Sequence, residues 1–260
     1  MSSRILLATV AATATFAVAA PAMAQDQGGQ SPFAGWYIGA NVGGSWSDSS
    51  LHATAAPGSA AVPAPPIVIP PADAALINAG SSNNNKSGFS IGAEGGYNYV
   101  TGNWLIGIET EFTALDLNES QANVYNSTVN SGITYTVTQR AKTNWMWTLR
   151  PRLGYVNDQW LFFGSVGIAT ADIKVALDYA DNRVPPNTAA TDSSSTKTGW
   201  AAGLGAAYAF TPQWSIKGEW LYADFGSIST SATTPSGFVT LTSEGKVRAN
   251  ILRVGADYRF

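Results

Sequence analysis

The chain has 260 residues, 45% of them hydrophobic and 12% charged, with a formal net charge of -3 and no cysteine. That charge, with no run of Lys or Arg, excludes an electrostatic case for a nucleic-acid partner. The missing cysteines exclude a disulfide framework and a thiolate metal site, and so low a charged share suits β-structure in contact with lipid.

Met1 to Arg4 forms a short basic start, Ile5 to Ala20 an Ala-rich apolar run, and Ala22-Met23-Ala24 a small-x-small site. The pattern predicts a signal peptide over 1–24, cleaved before Gln25, followed by a periplasmic lead-in over 25–34. Beyond it no apolar stretch approaches the ~20 residues of a helical span. A membrane protein built without such spans must be a closed barrel, here over 35–260.

The first predicted strand, 35–47, sets Trp36, Ile38, Ala40, Val42 and Trp46 against Tyr37, Asn41 and Ser45. Asp48 to Lys86 is too rich in proline for an interior strand and reads as a long loop. The second strand, 87–99, places Phe89, Ile91, Ala93, Tyr97 and Tyr99 opposite Ser90, Glu94 and Asn98, and a Gly-Asn turn follows. The third, 104–114, alternates Trp104, Ile106, Ile108 and Phe112 with Gly107, Glu109 and Glu111. A polar loop over 116–142 contains an alternating stretch at 133–139, so the strands on either side of it are expected to continue beyond the membrane. The fourth strand, 143–155, sets Trp145, Trp147, Leu149, Leu153 and Tyr155 against Asn144, Thr148, Arg150 and Arg152, with Pro151 hinting at a bulge. The fifth starts at Trp160, but both of its faces are apolar and its facing stays open. After a third long loop, 174–196, the sixth strand, 199–210, opposes Trp200, Leu204, Tyr208 and Phe210 to Gly199, Ala201, Gly203 and Gly205. The seventh, 214–225, opposes Trp214, Ile216, Trp220 and Tyr222 to Lys217, Glu219 and Ala223. A fourth long loop, 226–245, leads to the last strand, 250–260, with Leu252, Val254, Ala256, Tyr258 and Phe260 on one face and Ile251, Arg253, Asp257 and Arg259 on the other.

Eight strands joined alternately by four long loops and three short turns predict an all-β, eight-stranded antiparallel up-and-down transmembrane barrel, both termini periplasmic and the long loops extracellular. Trp36, Trp104, Trp160 and Trp214 open the odd strands, and Tyr99, Tyr155, Phe210 and Phe260 close the even ones, giving a periplasmic aromatic girdle. Trp46, Phe89, Phe112, Trp145, Trp200 and Tyr222 are expected to form the outer one. A soluble ligand-carrying barrel would invert the pattern, but the interior of eight strands has room only for its own side chains, and so many tryptophans would not fit. The aromatic face is therefore the lipid face.

The opposite face then carries a lumen charge network: Glu94, Glu109, Glu111, Glu219 and Asp257, balanced by Arg150, Arg152, Lys217, Arg253 and Arg259. We expect it to plug a narrow polar lumen. Glu109 and Glu111 could be read as a glycosidase-like carboxylate pair, but matching arginines and no cleft favour the salt lattice. His52, the only histidine, sits in a low-complexity loop and offers little for a triad or a metal site. Gly203-x-Gly205 has no helix behind it and reads as close packing rather than a phosphate loop. Asn126-Ser127-Thr128 matches a glycosylation acceptor but reads as loop. No catalytic residue, metal site or cofactor is assigned. The apolar run Val62 to Pro71 could touch lipopolysaccharide, a neighbouring barrel or a host ligand; a mobile hairpin tip is the plainer reading.

Phe33-x-Gly35-x-Tyr37-x-Gly39, the Gly88 to Tyr97 run, Trp104 to Glu111, Leu149 to Tyr155 and Gly199 to Phe225 together resemble the opacity-protein-like family of small outer-membrane barrels, in its alphaproteobacterial porin-family or surface-antigen form. The terminal Tyr258-x-Phe260 is similar to the insertion signal of such barrels, which implies contact with the barrel-assembly machinery through the last strand. The resemblance implies an outer-membrane location, lipid and lipopolysaccharide as surroundings, a role in envelope integrity or surface contact, and no active site. Pro151 and the long, Pro-rich first loop depart from the family pattern, so no loop ligand carries over. A small-solute channel through the lumen is the alternative function, and an enzyme the third.

Overall fold

The computed structural model describes residues 31–47, 49–57, 71–79, 81–84, 87–184, 186, 188–233 and 239–260. The expected signal peptide, most of the lead-in, and all of the Val62 to Pro71 run except Pro71 lie outside these residues.

Ten strands and one helix are described: β1 (Gly35–Ser47), β2 (Ser49–Pro57), α1 (Pro71–Ala79), β3 (Ser81–Asn84), β4 (Ser87–Thr101), β5 (Trp104–Asn126), β6 (Thr134–Asn157), β7 (Trp160–Asp181), β8 (Thr188–Ala209), β9 (Trp214–Thr233) and β10 (Val239–Arg259). They make one antiparallel sheet, and pairing of β1 with β10 closes eight of the strands, β1 and β4 to β10, into a ring. β2 and β3 continue outward from the far half of β10. The ring ends at the aromatics marked in the sequence. Phe260 donates its backbone N–H to the Trp36 carbonyl at 3.1 Å, so the two ends of the barrel chain meet at the short-turn rim.

Parity places apolar side chains outside. Trp36, Trp104, Trp160, Trp214, Ile106, Leu153, Val254 and Phe260 are exposed on the outer wall, Trp36 by 59%. In a ring this size, such a surface is stable only against hydrocarbon.

Three of the expected long loops prove to be mostly strand. Residues 116–126 and 134–142 extend β5 and β6, 174–181 and 188–196 extend β7 and β8, and 226–233 and 239–245 extend β9 and β10. The Pro-rich first loop holds β2, α1 and β3. These stretches are rich in Thr, Ser and Asn, and above a membrane both faces of a strand can be polar. Hydrophobic alternation, the sequence signal for strands, is therefore weak where strand pairing persists.

The ladder slips between Ala114 and Leu117 on β5, between Thr143 and Met146 on β6, and between Lys246 and Arg248 on β10. These bulges share one level, just beyond the outer aromatics. The bulge hinted at Pro151 is absent: the β6–β7 register is the same on both sides of it, and Pro151 simply faces outward opposite Ile108. Beyond the level of the bulges the ring opens. The β8–β9 ladder stops at Trp200 opposite Asp224, although both strands continue.

The interior is layered. Nearest the short-turn rim, Phe33, Leu105, Val156, Leu161, Phe163, Ala207 and Ala209 form an apolar layer. A charged layer follows. Beyond it lies a larger apolar layer with Leu115, Met146, Ile173, Leu221, Phe225 and Ile251. Tyr135, Val137, Leu177 and Tyr179 then pack with Ala74 of α1 at the long-hairpin end. The charges expected to line the lumen are thus gathered mainly in one layer, while uncharged polar side chains such as Ser45, Ser90 and Asn98 lie buried among the apolar ones. β7 supplies the missing facing: Leu161, Phe163, Ser165, Ala169, Ala171 and Ile173 point inward, Trp160, Phe162, Val166 and Ile168 outward.

Candidate functional site

The charged layer forms where inward-facing residues of neighbouring strands share a register. Glu109 lies directly opposite Arg150, Glu94 opposite Glu111, and Glu219 opposite Arg253. The Glu94–Glu111 juxtaposition would be repulsive alone. Asn41, from β1, separates them by donating to Glu94 Oε2 at 3.2 Å and to Glu111 Oε1 at 3.0 Å.

Arg150 is the hub. Its guanidinium is fully buried and reaches Glu109 Oε1 at 2.6 Å, Glu111 Oε2 at 3.1 Å and Glu219 Oε1 at 2.8 Å, with Ser165 Oγ at 3.3 Å. Arg253 bonds Glu219 Oε2 at 2.5 Å and also Glu111. Lys217 Nζ lies 2.6 Å from Glu94 Oε2 and 3.2 Å from Glu109 Oε2. Arg152 reaches Glu109 Oε2 at 2.9 Å and lies over the Phe163 ring, 4.1 Å from its centroid. The lattice therefore draws side chains from every strand of the ring except β8, which faces it with Gly203. Gly203 leaves room for it: a Cβ there would stand 2.4 Å from Glu219 Oε1 and 2.9 Å from Arg150 Nη1.

Of the ten charges expected in the lumen, eight join this lattice. Asp257 is buried beside it, against Glu94. Arg259 is a correction. Its parity was read correctly but it lies at the rim, where Nε donates to the Pro212 carbonyl at 3.0 Å and Nη1 to the Ala34 carbonyl at 2.9 Å. It fastens a short turn and the lead-in rather than balancing carboxylates. Two members were missed. The Tyr37 hydroxyl donates to Glu109 Oε2 at 2.8 Å and accepts from Arg152 Nη1 at 2.6 Å, and Asn41 bridges two glutamates. The parity of β1 already pointed both inward, which was the available signal.

The lattice decides what chemistry is possible. A carboxylate oxygen from each of Glu94, Glu109 and Glu111 lies within 4.8 Å of the others, a spacing that could hold a metal ion. Arg150, Lys217 and Arg253 already fill the positive role there. Glu109 and Glu111 are both buried and ion-paired, which gives a glycosidase pair neither a water nor a cleft. His52 lies in β2, between Glu244 and Ser81 in register. Ser127 and Thr128, of the acceptor-like tripeptide, hold α1 instead. Asp73 accepts from Ser127 Oγ at 2.6 Å, from Thr128 N and Oγ1 at 2.8 Å each, and from Tyr135 OH at 2.9 Å. Burial alone would raise the Asp73 carboxyl, but these hydrogen bonds outweigh it and hold it below the usual carboxylate value.

The residues assigned to the short-turn girdle lie on the outer wall at that rim. Trp104 packs on Tyr155 with centroids 5.5 Å apart, Trp160 on Tyr208 at 5.0 Å, and Trp214 on Tyr258 at 5.1 Å. Tyr258 stands edge-on to Phe260 at 5.4 Å, and Trp36 meets Tyr97 at 5.1 Å. At the other level Phe112 stacks on Trp145 and Trp200 packs on Tyr222.

The family model described as an outer membrane protein beta-barrel domain matches residues 8–260. A 31 kDa outer-membrane immunogenic protein of Brucella melitensis is 30% identical over 184 residues, covering 70% of each chain. A 22 kDa outer membrane protein of Rhizobium leguminosarum is 26% identical over 156 residues, covering 59% of this chain and 62% of the relative. Among solved structures, the outer membrane protein OprG of Pseudomonas aeruginosa aligns over 89% of this chain and 100% of its own, at 12% identity and a TM-score of 0.45.

Proposed function

Because the chain belongs to the outer membrane protein beta-barrel family, we propose that it is a closed anchor in the outer membrane, contributing to envelope integrity and presenting its long hairpins as the contact surface of the cell. The single observation that supports this is the interior: an ion-pair lattice joined across the ring and flanked by apolar layers on both sides. A hydrated pore needs a continuous wet path, and a layer of Leu, Ile and Phe is a poor one.

In this reading the short turns and both ends of the barrel face the periplasm, and the long hairpins reach outward among lipopolysaccharide. The terminal strand, with Tyr258 and Phe260, engages the assembly machinery. The relatives' designations as outer-membrane and immunogenic proteins support a surface-exposed, non-enzymatic role.

The test is single-channel conductance of the refolded chain in a planar bilayer, beside a Glu109→Gln, Arg150→Gln double variant. The closed-anchor reading expects silence from the wild type and openings from the variant. Steady small conductance in the wild type refutes it and makes the lumen a small-solute channel, with the same charges as its filter.

A further inference from the structure

The opening between β8 and β9 is unusual for a barrel. Closure normally removes every strand edge, yet here edges reappear above the membrane in two places: β3 and the outer part of β5 bound one gap, near α1, and β8 and β9 bound the other. Among the described residues, 188–199 of β8 pair with β7 alone, and 227–233 of β9 pair with β10 alone. Gly226 explains the parting. It has φ +73°, a left-handed conformation that turns β9 two residues after Asp224, its last partner to β8. Asp224 secures the turn by accepting from Gly226 N at 2.8 Å while Arg248 Nε holds its other oxygen at 3.1 Å.

Neither edge carries the usual protection. Residues 188–199 contain no proline and only Asp192 and Lys197 as charges, and residues 225–233 contain neither proline nor charge. Both stretches are rich in Ser and Thr, whose small side chains offer little bulk to keep a new strand away. A row of unpaired backbone groups is a template for pairing.

We infer that this opening is the docking surface for a second copy of the chain, β8 of each copy pairing with β9 of the other. Barrels in one membrane point the same way and can be related only by rotation about its normal. β8 of one copy is then antiparallel to β9 of the next, the sense in which they already pair below the opening. Two identical β8 edges, by contrast, would meet parallel with opposite faces and could not form an ordinary ladder. A two-fold rotation satisfies the β8 and β9 edges of both copies at once and joins the outer sheets of the two copies at two seams. The wall beneath the opening permits the approach. A groove of about 590 Å³ crosses its lipid face, lined by small Ala40, Ala206, Gly218 and Ala256 and by the packed pair Trp160 and Tyr208.

The ladder below the opening pairs Trp200 with Asp224, and continuing it places Ser195 opposite Ser229. The chain has no cysteine, so introduced thiols report one contact each. Chains carrying Ser195→Cys and chains carrying Ser229→Cys, with tags of different length, are refolded together into lipid vesicles and oxidised. A disulfide-linked dimer containing one chain of each kind, absent when either variant is oxidised alone, is the expected result. Adding Thr191→Pro to the Ser195→Cys chain, on the edge that carries the thiol, should sharply reduce the dimer while the barrel keeps its heat-modifiable gel mobility. Three results overturn the inference: no dimer from the mixture, dimers from Ser195→Cys alone, or a Ser195→Cys, Ser229→Cys double variant that forms only an internal bond.

Discussion

Replacing Arg150 with Gln tests the lattice at its hub. The guanidinium is wholly buried and bonds three carboxylates, those of Glu109, Glu111 and Glu219. Two of these keep Arg253 and one keeps Arg152 and Lys217, so none is left bare, but the two short bonds at 2.6 and 2.8 Å have no replacement. Breaking a buried pair by removing one partner costs about 3–5 kcal/mol, and the remaining cations place Arg150→Gln near the lower end, at about 3 kcal/mol. The assay is reversible urea unfolding in lipid vesicles, followed by tryptophan fluorescence. A Glu109→Gln, Arg150→Gln double variant should lose less than the sum of the two single losses, with a coupling of about 0.5–3 kcal/mol. A single-variant loss under about 1 kcal/mol, the scale of an exposed pair, would refute the claim that these charges act as a buried network.

Gly167→Ala should destabilise the barrel by about 1–3 kcal/mol in the same assay, because an added Cβ would stand 2.1 Å from the Leu149 carbonyl oxygen, where only backbone movement gives relief. All nine tryptophans carry outward parity, so brominated acyl chains should quench most of the emission and aqueous acrylamide little; the reverse would invert the wall. Asp73→Ala should free α1 and expose it to protease while the barrel stays folded. The wild-type contact should follow pH in one direction: the folded carboxyl lies below its ordinary 3.8, so its stabilisation is full above that value and fades as pH falls through the depressed one. Protease resistance that vanishes already at pH 5 would count against it. Deleting the chain from its cell should reduce detergent resistance, and unchanged resistance would count against a role in envelope integrity.

The membrane half of the fold was legible because lipid imposes a strict code there. Each strand must alternate, and the aromatics at Trp104, Trp160 and Trp214 mark where β5, β7 and β9 begin. Eight of the lattice charges followed from parity and the scarcity of charge elsewhere. Which carboxylate meets which cation did not, since register across the ring decides it: Glu94 faces Glu111 across the β4–β5 ladder, and Asn41 from a third strand makes that tolerable. Arg259 shows that parity gives direction without depth. The outer strands and α1 were hidden for the opposite reason. Water accepts either face of a Ser- and Thr-rich strand, so the order of residues there records little, apart from the alternating 133–139 stretch that foretold the extension of β5 and β6.

The slips in the ladder at Ala114–Leu117, Thr143–Met146 and Lys246–Arg248 set two regimes of mutational tolerance in one chain. Below them, a single inserted residue would turn a whole wall inside out, carrying tryptophans inward and glutamates into hydrocarbon. Above them the phase has already been reset, and beyond the inward packing of Tyr135, Val137, Leu177 and Tyr179 the same insertion merely shifts a polar hairpin tip by one step. The hairpin tips can therefore change length and composition while the barrel beneath keeps its register, as a surface exposed to changing partners requires.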